Sequence, residues 1–440
     1  MIGKLYPAYS EYKDSGVEWL GEIPKYWEVK RLKNIASCND ESLGENTDPD
    51  YTIEYVDISS VNLLSGITHY ENMIFENAPS RARRKVKNGD IIVSTVRTYL
   101  KAIATIKKPP NNLIVSTGFA VIRPKQDLNP DYIGYLLQSE GFIGDVVSNS
   151  SGVSYPAIDS SILMRLPVVE PPLEEQETIA KFLDTATAEI DDIIEQQQQL
   201  ISLLEEERTT VISHAVTKGI DRSVPMKDSG VEWLGEIPEH WETKKAKHVS
   251  SIFVPQRNKP ELNLDSGVPW ITMDDITSPS VDSSITGYYV NELDALTAGS
   301  KVLPPGCVIA SCVGNFGVAS VNKVSVIINQ QLQAYIPKKI DSWFLRYLVE
   351  VSKQYFEKVA TATTLVYVNQ ERFGELPIVL PPIEEQKAIC NFINQETAKI
   401  DEAIAIVQQQ IELLEEYRTT LISDAVTGKI DVRGIANEKS

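Results

Sequence analysis

The residues Pro171 to Asp221, PPLEEQETIAKFLDTATAEIDDIIEQQQQLISLLEEERTTVISHAVTKGID, return at Pro381 to Asp431 as PPIEEQKAICNFINQETAKIDEAIAIVQQQIELLEEYRTTLISDAVTGKID. No other feature of the 440-residue chain narrows the available folds as much, because a repeat of this length makes the chain two copies of one unit. In the first copy, spacings of four and three run through Ile190, Ile194, Gln197, Ile201, Leu204, Arg208, Val211 and Ala215. In the second they run through Ile400, Ile404, Val407, Ile411, Leu414, Arg418, Leu421 and Ala425. Such alternation over several heptads is a coiled-coil seam. The prolines forbid helix before them and the acidic residues after them suit a first helical turn, so a long helix is expected to start at each. Neither seam can stay exposed, and the simplest partner for each is the other.

The direction of pairing follows from lengths. About 40 helical residues extend roughly 60 Å, whereas a globule of about 150 residues is near 40 Å across. A parallel pair would make the intervening globule bridge the full helix length; an antiparallel pair lets the second helix begin where the first ends. The expected fold class is therefore α+β: two structurally similar domains separated by two long helices forming an antiparallel coiled coil, pseudo-two-fold symmetric, with neighbouring termini. If Gln197 lies opposite Val407, Arg208 falls opposite Glu396 and can pair with it; the arginine stem can equally pack while its head reaches water.

A second repeat opens each unit. KDSGVEWLGEIPKYWE at 13–28 and KDSGVEWLGEIPEHWE at 227–242 differ at two positions, and suit a docking strap in which Trp19, Trp27, Trp233 and Trp241 fill grooves. Between opening block and helix lie dissimilar segments with the same order of β-type runs. These are YTIEYVDI (51–58), GDIIVSTV (89–96) and LIVSTGFAVIRP (113–124), then a helical run at 131–147. The second copy has GVPWITMDDI (267–276), GCVIASCVGNFGVASV (306–321) and VIINQQLQAYIP (326–337), then a helical run at 342–359. The expected divisions are an opening block at 1–28, a first variable domain at 29–169, a first helix segment at 170–221, the repeated block at 222–242, a second variable domain at 243–379, a second helix segment at 380–431 and a tail at 432–440. Two domains with one fold and different sequences suit two different ligand surfaces.

The net charge of −19 argues against nucleic acid until it is divided. Residues 170–221 carry −10 and residues 380–431 carry −6, so the variable domains are close to neutral. No run is long and apolar enough for a membrane helix and the first residues have no apolar core of a signal peptide, which places the chain in the cytoplasm with no membrane partner. The four cysteines are scattered, without metal-ligand spacing, and read as ordinary thiols. No phosphate-binding Gly-rich loop, dinucleotide fingerprint or HExxH pair occurs, and the four histidines are isolated. A recognition protein, not an enzyme, is expected, with no catalytic residue, metal or cofactor of its own.

Basic residues mark candidate duplex contacts: Arg81, Arg83, Arg84, Lys85 and Lys87, followed by Arg97, Tyr99 and Lys101. The cluster at 81–87 can equally be a solvated edge that blocks strand pairing. In the second domain the candidates are Arg257, Lys259, Asn315, Lys323, Gln330 and Gln331.

The duplicated GEIPxxWE opening, the LPxxxPPxEEQ exits at 166–176 and 376–386, and the helix ends EEERTTVISHAVTKGID and EEYRTTLISDAVTGKID together resemble the specificity subunit of type I restriction-modification systems. The resemblance covers nearly the whole chain. It implies two target-recognition domains, each reading one half of a bipartite asymmetric double-stranded DNA target, with the paired helices as the ruler for the gap. It further implies assembly with two modification (methyltransferase) subunits and optionally two restriction (helicase-nuclease) subunits, which would bind S-adenosylmethionine, ATP and Mg. Partner contacts should then fall on repeated positions: Glu174, Glu175, Gln176, Glu206 and Arg208 with Glu384, Glu385, Gln386, Glu416 and Arg418. The same residues can instead cap and solvate the helices. A coiled-coil scaffold whose globules bind proteins is the alternative from another class.

Overall fold

The computed structural model describes residues 6–255, 258–360 and 366–435. The chain forms two compact units, one of residues 1–197 with 409–440 and the other of 198–408. Each long helix is thus shared: Leu173–Lys218 and Ile383–Val426 both run without interruption from one unit into the other.

Each unit contains an antiparallel hairpin ahead of its variable domain, Tyr12–Asp14 with Glu22–Pro24 and Met226–Asp228 with Glu236–Pro238. A strand then pairs with the exit strand of the variable domain, Glu28–Arg31 with Pro167–Glu170 and Glu242–Lys245 with Pro377–Leu380. The strap is therefore tied to the place where the long helix starts. Trp27 and Trp241 are completely buried, as expected of groove-filling anchors. Trp19 and Trp233 are only partly buried against the cores.

In the first domain one sheet orders Ile103–Thr105, Ile91–Ser94, Phe119–Pro124 and Ala36–Cys38, all antiparallel. A second orders Glu71–Ile74, Thr52–Val56, Leu113–Ser116 and Ala82–Lys85, with the middle pair parallel. The second domain repeats the plan. Ser250–Phe253, Leu332–Pro337, Val308–Ser311 and Ala319–Asn322 lie side by side, and Val268–Ile271 runs parallel to Ile327–Ile328. The strand runs expected from sequence are present, but 113–124, 306–321 and 326–337 each fold into two strands around a turn. The helical runs also divide, into Pro130–Gln138 and Glu140–Ser148, and into Ser342–Val351 and Lys353–Val359. Serines at 139 and 352 interrupt them, each hydroxyl donating to a carbonyl three residues back.

Within each unit the two long helices run antiparallel. In the first, Arg418 makes a two-armed ion pair with Asp191 (2.9 and 3.3 Å), while the earlier Ile179 and Leu183 share a core with the later Ile422 and Val426. In the second, Arg208 meets Asp401 (3.0 Å). The two pairs are the same pair at corresponding positions of the repeat. The expected partner Glu396 is corrected to Asp401. A helical side chain leans toward its own N-terminus, so Arg208 reaches about one turn beyond the residue opposite its Cα. The seam residues named from sequence are all buried or half-buried. Segments near the two termini meet in the first unit, where the Asp431 amide donates to the Pro7 carbonyl (2.7 Å) and the Tyr12 hydroxyl to that of Gly428 (3.1 Å).

Candidate nucleic-acid interface

Strand Ile91–Ser94 is wholly buried and delivers the chain to the surface at Val96. There a second loop crosses it: Val96 bridges Ala157, the Ile158 amide donates to the Thr95 carbonyl (2.9 Å), and the Thr98 and Ser150 hydroxyls lie 2.9 Å apart. The two loops form an arch held by backbone. Arg97 (φ 51°) and Lys101 (φ 52°) flank a single 3-10 turn, both in the left-handed region. Such a conformation costs a non-glycine residue about 1–2 kcal/mol. The turn projects Tyr99, 53 % exposed, and the crossing loop projects Tyr155, 65 % exposed, with the Arg97 guanidinium 5.0 Å from the Tyr155 ring centre. Exposed cations beside exposed aromatic faces can neutralise phosphate and stack on bases.

The second domain builds the same arch with other side chains. Val313 bridges Tyr367, the Val368 amide donates to the Cys312 carbonyl (2.9 Å), and the left-handed positions are Gly314 (φ 70°) and Gly317 (φ 85°). Glycine adopts that conformation without the side-chain penalty. Exposed Asn315 and Tyr367 take the outward places.

The structure sorts the basic candidates. Ala82–Lys85 is the outer strand of its sheet, and four of the five cations nearby are engaged within the domain or buried. Arg81 pairs with Asp57 (2.6 Å), Arg83 lies 4.5 Å over Phe75, Lys87 pairs with Glu41, and Arg84 Nε is buried without a hydrogen-bond partner among the described residues. Lys85 is exposed. Only Arg81 approaches the arch, its carbonyl accepting from the Thr117 amide (2.7 Å) next to the turn that holds Thr95. In the second domain Gln330 and Gln331 border the arch through Cys312, whose amide donates to the Gln331 carbonyl (3.0 Å). Gln330 Nε2 also donates to the Asn258 carbonyl (3.3 Å), bringing exposed Lys259 alongside. Lys323 lies at the other end of that strand pair, and Arg257 lies outside the described residues. Sequence reading missed Tyr155 and Tyr367; for Tyr155 the signal available was an aromatic in a Ser- and Gly-containing loop after a helix, and for Tyr367 an aromatic after a Thr-rich stretch.

The repeated Glu-Gln pairs are engaged inside the chain. Glu175 accepts from Tyr9 Oη (2.7 Å), Tyr26 Oη (3.0 Å) and Trp27 Nε1 (3.2 Å). Glu385 accepts from Trp241 Nε1 (3.0 Å) and contacts His240 Nε2 (2.9 Å). Gln176 bonds the Asn129 amide and the Pro171 carbonyl, and Gln386 does the same with Asp341 and Pro381. Arg418 is buried. Of these repeated positions Glu174, Glu206, Glu384 and Glu416 are exposed, and the others bond within the chain.

Burial pushes the thiols of Cys307 and Cys312 up to about 11 and of Cys390 to about 12, away from thiolate chemistry at neutral pH. Among the described residues no group of three His, Cys, Asp or Glu is placed to hold a metal ion, and no helix is long and apolar enough to cross a membrane.

A twice-built scaffold with one backbone arch and two sets of exposed side chains defines a protein that recognises two different features. Residues 24–203 and 238–416 both match the type I restriction modification DNA specificity domain, and the chain belongs to that family. It is similar to the type I restriction enzyme MjaVIII specificity subunit of Methanocaldococcus jannaschii (26 % identity over 94 % of this chain and 95 % of the relative). It is also similar to the HindI specificity subunit of Haemophilus influenzae (22 %, over 82 % and 91 %). Among solved structures, a chain described under complex assembly and conformational transition of the type I R-M system aligns with a TM-score of 0.72 at 21 % identity, over 92 % of this chain and 98 % of that one. The HsdS subunit of Thermoanaerobacter tengcongensis aligns at 0.52 and 23 %, over 93 % and 98 %.

Proposed function

We propose that this chain is the non-catalytic DNA-recognition subunit of a type I restriction-modification complex, acting in the cytoplasm. Each domain reads one half of a bipartite, asymmetric duplex target through its arch, and the long helices set the unspecified gap. The observation that carries this is the pair of arches: one backbone design, armed with Arg97, Tyr99, Lys101 and Tyr155 in one domain and with Asn315, Gln331 and Tyr367 in the other. Cations and aromatics suit phosphate and stacking contacts, and side-chain amides suit base edges. The acidic helices would face two modification subunits instead of phosphates, with two restriction subunits optional. Those partners would hold S-adenosylmethionine, ATP and Mg.

The test is a gel-shift titration of the chain with its modification subunit. The split target is first read from methylated positions in DNA from cells carrying the complex. Preference for that duplex over random DNA by at least about 10³ is expected of specific recognition. Equal binding to both would return the chain to a protein scaffold.

A further inference from the structure

In the first unit two chain segments converge on the paired helices: the N-terminal residues from Tyr6 and the tail after Val426. Tyr6 seats edge-on against Phe182, ring centres 5.6 Å apart, and its hydroxyl lies 3.4 Å from that of Tyr417. In the second unit the chain passes once, from Lys218 straight on to the hairpin at Met226. The position equivalent to Phe182 is Phe392, and that equivalent to Tyr417 is Glu207. Phe182 is 9 % exposed; Phe392 is 38 % exposed. With Leu203, Glu207, Val211, His214 and Arg222 it lines an open groove of about 470 Å³, in which Leu203 is 62 % exposed.

The groove that the first unit fills with its own tyrosine is thus open in the second. We infer that it seats an extended segment of a partner polypeptide through a tyrosine, which packs against Phe392 and donates its hydroxyl to Glu207, with a neighbouring lysine or arginine at Glu206. The internal copy fixes the aromatic. The exchange of Tyr417 for Glu207 adds a carboxylate acceptor, which strengthens a hydroxyl bond, and the Glu205–Glu207 run attracts a cation. A second copy of this chain is not the occupant, because its Tyr6 is already seated in its own unit. The inference is independent of what the recognition domains bind.

The probe is a synthetic peptide of residues 3–12, GKLYPAYSEY, titrated into the full chain and followed by fluorescence anisotropy. Saturable binding is expected, weakened at least ten-fold by Leu203→Glu in the protein or Tyr6→Ala in the peptide, and several-fold by Tyr6→Phe. Leu413→Glu, the exposed counterpart in the first unit, should leave it unchanged. Both protein substitutions are at exposed positions, so folding is retained and an unchanged melting temperature verifies it. No saturable binding, binding indifferent to Leu203→Glu, or loss caused by Leu413→Glu overturns the inference.

Discussion

Arg97 and Lys101 hold left-handed conformations that the sister domain assigns to Gly314 and Gly317. Replacing either with glycine should relieve strain, leaving stability unchanged or raised by up to about 1 kcal/mol in urea unfolding. The same substitutions should weaken target binding by about 1–3 kcal/mol and lower the salt slope by about one unit for each phosphate that is no longer neutralised. A drop in stability together with unchanged affinity would mean that the arch is structural. Glu175 presents the opposite case, a carboxylate serving the fold. Glu175→Ala strands the buried Tyr9 hydroxyl and Trp27 indole N–H and should cost about 2–4 kcal/mol. Titration offers a further check at Glu375, which accepts from Lys245 and Lys247 and is held down to about 2. Its folded value lies below the unfolded value of about 4.3. Its contribution is therefore full above that value and lost as pH falls through about 2. Glu375→Gln should flatten the acid-unfolding slope in that window. Arg97 and Lys101 stand out in the sequence as basic residues after a strand, but their left-handed backbone and the contacts of Glu175 and Glu375 do not, since each depends on a backbone angle or a distant partner that neighbouring letters do not encode.

The long helices were legible, and the reason is physical. Heptad spacing, prolines before the first turn and a duplicated core stripe all act locally, so Leu173–Lys218 and Ile383–Val426 follow from their own residues. Register was less so, because the lean of arginine along the helix moved the partner of Arg208 from Glu396 to Asp401. The two symmetry-equivalent pairs should differ in energy. The Arg418 side chain is 8 % exposed and that of Arg208 is 29 %, and Arg208 also has Glu350 at 3.7 Å. Asp191→Ala therefore leaves a buried guanidinium without its partner and should cost about 2–4 kcal/mol. Asp401→Ala should cost less than about 1 kcal/mol. Equal losses in thermal unfolding would contradict this ordering. Strands in the recognition domains were found where apolar runs were dense. The outer strand Ala82–Lys85 was not, because its pattern is charge; Arg81 and Lys87 beside it pair with Asp57 and Glu41 within the domain.

At the scale of the molecule, duplication is the dominant fact. It let the chain be divided into recognition domains and shared helices, and it makes each unit a control for the other: Trp27 for Trp241, Asp191 for Asp401, a filled groove for an open one. What duplication could not supply is the set of side chains that each arch presents, because the arches are where the two copies have diverged. Seven residues inserted into one long helix alone should disturb the paired seam and lower stability, whereas matched insertions in both should preserve pairing and lengthen the unspecified gap of the target. The most direct measurement exchanges residues 29–166 for the corresponding segment of a relative and maps methylated positions in DNA modified by the resulting complex. One half of the target should change while the other half and the gap stay as they were; a change in both halves, or in neither, would contradict recognition by two independent domains.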